Sequence, residues 1–101
     1  MRRVSLPSRE IDHFGSAGFT HSRVARGELQ VSLVELDGLI GGHDAASRQL
    51  LIVLAGRVVC ATRSGRTELG VGEAVEWQEG EWHETRSLVK SRLLIVEGDF
   101  E

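Results

Sequence analysis

The stretch GGHDAASRQLLIVLAG, residues 41–56, sets His43 in a glycine-bearing segment and follows it with an apolar run that opens at Gln49 and closes on Gly56. Successive residues of a strand point to opposite faces, so Gln49, Leu51 and Val53 share one face and Leu50, Ile52 and Leu54 the other. A strand that is apolar on both faces is covered on both. That fits a small closed barrel, or a sheet backed by a second sheet or subunit.

Outward from this run the same pattern recurs. Strands are predicted over 29–36, 49–55, 57–63, 67–71, 73–77, 83–87 and 92–98, separated by Gly38, Gly41-Gly42, Gly56, Ser64-Gly65, Gly72 and Gly80. Helical periodicity is hard to find anywhere. Short strands at this spacing with glycine turns argue for an all-β sandwich or barrel. In LQVSLVEL, Leu29, Val31 and Leu33 share one face and Gln30 and Ser32 the other. Residues 1–28 read as loop and edge strands, with HFGSAGF (13–19) as a loop.

The chain has 101 residues, the size of one domain, with 41% hydrophobic and 5% aromatic residues. Its net charge of −3 is made of interspersed signs, and 11 of its 12 basic residues are arginine. Without a basic stripe, nucleic acid is not an expected partner. The longest apolar run is far too short to span a bilayer, and MRRVSLPSRE lacks the apolar core of a signal peptide, so a soluble cytoplasmic protein with no membrane partner is expected. Cys60 is the sole cysteine, which excludes an internal disulfide, and its place in VVCAT marks it as a small buried residue.

Chemistry concentrates at two places. His43 precedes the apolar strand, and His83 follows the Gly80 turn and begins another, with Thr85 on its own face. Two imidazoles and the amide oxygen of Gln49 can converge on one divalent transition metal such as zinc, iron, nickel or manganese, leaving positions open for water or substrate. Without a metal, paired imidazoles can still move protons near neutral pH. Trp77 and Trp82 bracket the same turn and either line a pocket for a small organic ligand or fill space. Alternation leaves Glu81 nearest the side of His83, while Leu51, Val53 and Thr85 fall on the pocket face. Asp44, Glu79, Glu81 and Glu97 are the carboxylates that can add charge there, and His13 and His21 read as surface or loop residues.

These residues resemble the two motifs of the cupin family. The second motif, G-x5-P-x-G-x2-H-x3-N, is matched by Gly72, Gly80 and His83, with Gln78 in the proline place and Arg86 in the asparagine place. The first, G-x5-H-x-H-x3,4-E-x6-G, is matched by His43 and Gly56, with Gln49 in the glutamate place, Ala45 in the second-histidine place and the opening glycine offset by one, Asp37 in its place and Gly38 beside it. The resemblance covers about residues 29–98. It implies a single domain folded as a double-stranded β-helix, a jelly-roll barrel, that pairs as a homodimer. It also implies a metal held by His43, His83 and Gln49. Two functions follow as expectations. One is a metal- or small-molecule-binding barrel, extending to an oxygenase, isomerase or decarboxylase. The other is a non-catalytic ligand-binding or structural barrel whose metal site has decayed, with no cofactor.

Overall fold

The structure, a computed structural model, describes residues 1–3 and 5–100. It is all-β, as expected. Nine strands, β1 (Ser8–Glu10), β2 (Ala17–Arg26), β3 (Leu29–Asp44), β4 (Gln49–Ala55), β5 (Arg57–Thr62), β6 (Gly65–Gly70), β7 (Ala74–Trp77), β8 (Trp82–Ser87) and β9 (Ser91–Gly98), are joined by one short 3-10 turn at His13–Gly15. No helix among the described residues is long and apolar enough to cross a membrane.

Pairing explains how so short a chain closes on itself. The strands follow the order β6-β5-β8-β3-β9-β4-β7, antiparallel throughout. The first half of β3 pairs with β9 and its second half with β8, while β4 and β5 run on from one another against β9 and β8. Each long strand therefore passes from one face of the barrel to the other at a bend. The bends gather at one end, around Asp37-Gly38, Gly56 and 88–90, and the strand tips gather at the other, around Asp44, Gln49, Trp77, Trp82 and Glu97. This is the expected jelly-roll barrel. At the β4–β5 bend, Gly56 has φ +88°, and a Cβ there would run into Ser91. That is why the apolar run ends on glycine.

Inside the barrel lie Val34, Leu36, Ile40, Leu51, Val53, Val58, Leu93 and Trp77, all buried. Gln49, Leu51 and Val53 are buried together on the face that alternation assigned them. In the first half of β3 the buried set is Ser32, Val34 and Leu36, opposite to the Leu29/Val31/Leu33 face. Both faces of that stretch carry apolar residues, so alternation separates them without saying which is inner.

Two expectations about length are corrected. The strand predicted over 29–36 continues to Asp44, so Gly38 and Gly41-Gly42 lie within it and are not turns. The N-terminal region holds edge strands as expected, but the loop read over 13–19 gives way at Ala17 to the ten-residue β2, which pairs along β3 from Arg26↔Gln30 to Ala17↔Leu39. None of its residues is fully buried, so its burial pattern shows no alternation.

Candidate functional site

The mouth end of the barrel brings His43 and His83 together as directly opposed residues of β3 and β8, with ring centroids 4.5 Å apart. A bulge makes this possible. Ile40 faces Thr85 and His43 faces His83, so β3 spends three residues where β8 spends two. Strict alternation from the buried Ile40 would turn position 43 outward. The extra residue at Gly41-Gly42 turns His43 back to the inner face, the way bulges re-aim side chains.

The same glycines let other groups come close. A Cβ on Gly41 would meet the Phe14 carbonyl, and one on Gly42 would meet the Trp82 ring.

Both imidazoles are held in one tautomer. The Nδ1 of His43 lies 2.8 Å from the Gly41 carbonyl and that of His83 lies 3.2 Å from the Glu81 carbonyl. A carbonyl only accepts, so in each neutral ring Nδ1 carries the proton and Nε2 keeps its lone pair. This backbone-anchored arrangement is the one that metal-bound histidines use. Gln49 behaves likewise. Its Nε2 donates to a carboxylate oxygen of Glu97 at 2.6 Å, which leaves Oε1 as its free acceptor. Among the described residues, neither Nε2 nor Gln49 Oε1 has a hydrogen-bond partner in the protein. The site therefore offers three neutral acceptors.

Burial tunes these groups. His83 is 2% exposed, and burial holds its imidazole below the usual value against the opposing pull of the Glu81 carbonyl. It is neutral at pH 7. Half-burial pushes the Glu97 carboxyl up, while the Gln49 amide and nearby His43 pull it back. Burial also raises the Cys60 thiol, which lies 3.7 Å from the Thr85 hydroxyl and is unreactive in that setting.

A cavity of about 80 Å³ opens beside the rings, lined by His43, His83, Gln49, Leu51, Thr85, Phe14, Phe19, Ile40 and Ile95. Of the expected residues, then, His43, Gln49, His83, Leu51 and Thr85 meet there. Trp77 stacks on His83 with centroids 4.2 Å apart, yet it lies behind that ring and does not line the cavity. Its buried indole N–H has no hydrogen-bond partner.

Three expected ligand-binding residues lie elsewhere. Trp82 precedes His83 and so points to the opposite face, where it lines an outer cleft with Asp44, Arg63 and Glu81. The Glu81 carboxylate accepts from the Gln78 N–H, 3.1 Å away, and closes its own turn. Val53 is fully buried in the core, one step deeper than Leu51. Ala45, in the second-histidine place, is 3% exposed and joins the core.

Sequence reasoning missed Phe14, Phe19, Ile40 and Ile95. Phe14 sits in what had been read as a loop, and its ring stacks on His43 at 4.3 Å and 11°. Glu97 shares the inner face of β9 with Ile95, a parity the sequence does contain.

As a metal centre the donor set is short of charge. Two Nε2 atoms and an amide oxygen suit a borderline ion such as zinc or nickel. Yet no group of three or more His, Cys, Asp or Glu residues among the described residues is placed to hold one. The neutral donors fit an ion that brings its own anionic ligand or water.

No protein-family model and no curated protein matches the chain. Solved structures do resemble it. A cupin-2 domain protein from Shewanella frigidimarina superposes with a TM-score of 0.71 at 23% identity, covering 78% of this chain and 79% of that one. A cupin superfamily protein from Desulfitobacterium hafniense gives 0.72 at 16% identity over 98% and 83%. KdgF from Halomonas sp. gives 0.71 at 18% identity over 83% and 82%.

Proposed function

From the premise that this chain has the cupin fold, we propose that it is a metal- and small-molecule-binding barrel whose site is the mouth between β3 and β8. His43 and His83 hold a divalent transition metal through Nε2, Gln49 Oε1 adds a weak third donor, and a small organic ligand completes the shell. The observation that carries this reading is the shared tautomer: both Nδ1 protons go to backbone carbonyls, leaving two lone pairs together at one cavity. Such a site supports metal-assisted chemistry of the oxygenase, isomerase or decarboxylase kind.

The second reading is a metal-free ligand-binding barrel. It is favoured by the absence, among the described residues, of any group of three or more His, Cys, Asp or Glu residues placed to hold a metal.

Metal analysis of tag-free protein purified without chelators decides between them. The first reading expects close to one equivalent, together with a rise in melting temperature on adding zinc, nickel, iron or manganese. Less than about a tenth of an equivalent with no thermal shift overturns it in favour of the second. His83→Ala abolishes metal retention. Because His83 packs against Trp77, the less buried His43→Ala is measured beside it.

The chain is also proposed to pair as a homodimer through its bend end. Leu54, Val71, Leu88 and Val89 are exposed there, opposite the mouth. Light scattering then gives about twice the 11.1 kDa chain mass, and a mass equal to one chain rejects the pairing.

A further inference from the structure

We propose that the Phe14 ring sits in the place of a ligand, and that the mouth takes a small planar molecule carrying an O–H or N–H donor, which displaces Phe14 and stacks on His43. This deepens the binding role given above to the His43–His83 cavity and needs no metal.

Four observations carry it. First, Phe14 lies parallel to His43, 4.3 Å away, yet is 60% exposed. A ring so placed covers the imidazole while leaving most of its own apolar surface in water. Second, Phe14 has φ 60° and ψ 25°, the left-handed region that bulky residues avoid. Its backbone is nonetheless pinned: the Ser16 N–H donates to the His13 carbonyl at 3.0 Å, and the Gly41 N–H donates to Ser16 Oγ at 3.0 Å. Beyond its stack on His43, the ring meets only the edge-on His13 ring, 6.1 Å away between centroids, so the side chain can rotate away while the turn stays put.

Third, the cavity is about 80 Å³ with Phe14 in place. A cavity of about 150 Å³ is one that accommodates benzene. A ring-sized ligand therefore enters only if Phe14 leaves, and the vacated place has the shape of a flat six-membered ring. Fourth, three acceptor atoms at the cavity have no protein donor, Nε2 of His43, Nε2 of His83 and Oε1 of Gln49, while the one hydroxyl there, that of Thr85, lies 3.7 Å from Cys60 Sγ. A ligand that satisfies them brings the hydrogens.

Phenol is the test probe and cyclohexanol, similar in size and hydroxyl but not planar, its control. Each is titrated into chelator-treated wild type and Phe14→Gly, read by the ring-proton shifts of His43 and by tryptophan fluorescence in a Trp82→Phe background that leaves Trp77 as the reporter. Removing a competing aromatic stack is expected to tighten phenol about three- to tenfold in the variant. Cyclohexanol should show no comparable gain. Phe14→Asn, another residue that tolerates left-handed backbone, repeats the measurement on an independent chain.

Equal phenol affinity in wild type and both variants overturns the proposal. So does cyclohexanol binding as well as phenol, or the absence of saturable phenol binding in all three proteins. Phenol binding by a wild type that retains no metal leaves the proposal standing and removes only the metal reading.

Discussion

The Gln49–Glu97 contact shows what one residue does to this site. An amide beside a half-buried carboxylate donates to it at 2.6 Å and favours its charged form, against the burial that favours the neutral one. Gln49→Glu puts a second carboxylate in that contact. Two carboxylates so close cannot both ionise, and one keeps its proton well above the usual range. The folded variant then binds a proton that the unfolded chain has released, so its stability falls as pH rises from about 5 to 8, by about 1.4 kcal/mol for each unit of displacement. Thermal melts of wild type and variant across that range check this, and parallel curves would refute it. Position 49 was legible in the sequence because strict alternation along QLLIVLA fixes its face, and His83 with Thr85 followed by the same rule. Glu97 was visible as a residue but not as a partner, because its pairing with Gln49 depends on β9 lying beside β4. Trp82 is next to His83 in sequence yet faces an outer cleft, because adjacent strand residues face apart.

At the scale of the element, the bulge in β3 matters most. Gly41 and Gly42 read as a turn from sequence, since glycine pairs commonly mark turns. Here they lengthen a strand by one residue, turn His43 inward and make room for the Phe14 carbonyl. Gly41→Ala drives a methyl into that backbone oxygen, so the turn at 13–15 lifts or β3 shifts. A forced fit of this kind costs about 1–3 kcal/mol, roughly 4–8 °C per kcal/mol for a domain of this size. Gly27→Ala is the contrast: a Cβ at that position meets nothing, and the change is expected to stay within about 0.5 kcal/mol. A melting temperature for Gly41→Ala as high as that of Gly27→Ala would mean the turn does not rest on β3. The apolar strands β4, β5 and β9 were legible to within a residue because their consecutive apolar residues between turn signals leave a plain signature, although only one face of each is fully buried. The bounds of β2 were not, since it is an edge strand paired to β3 through its backbone, with Phe19 its one side chain packed on the core.

For the whole molecule, the barrel separates a bend end, where exposed apolar residues collect, from a mouth that buries His83 and half-buries Glu97. Both groups contribute to its acid response. His83 is neutral in the folded state and is held by burial below the 6.5 of a free imidazole. Above that pH neither state binds the proton, and His83 contributes no slope. Below it the unfolded chain takes up a proton that the folded chain refuses, so stability drops until the lowered folded-state value is reached. His21 is shifted the same way by burial and by Arg9 and Arg23, and it adds to the loss. Glu97 acts in the opposite sense: its carboxyl is raised above 4.5, so the cost of keeping it ionised when folded is relieved as pH falls. The two groups are separable because their variants bend the stability curve in opposite directions. Between pH 7.5 and 4.5, His83→Gln should flatten the decline in melting temperature, whatever its absolute value, with a slope change of up to about 1.4 kcal/mol per pH unit. Glu97→Gln should steepen it. If His83→Gln leaves the slope of the wild type unchanged, the imidazole charges freely in the folded barrel, and neither its burial nor its stack on Trp77 constrains its protonation.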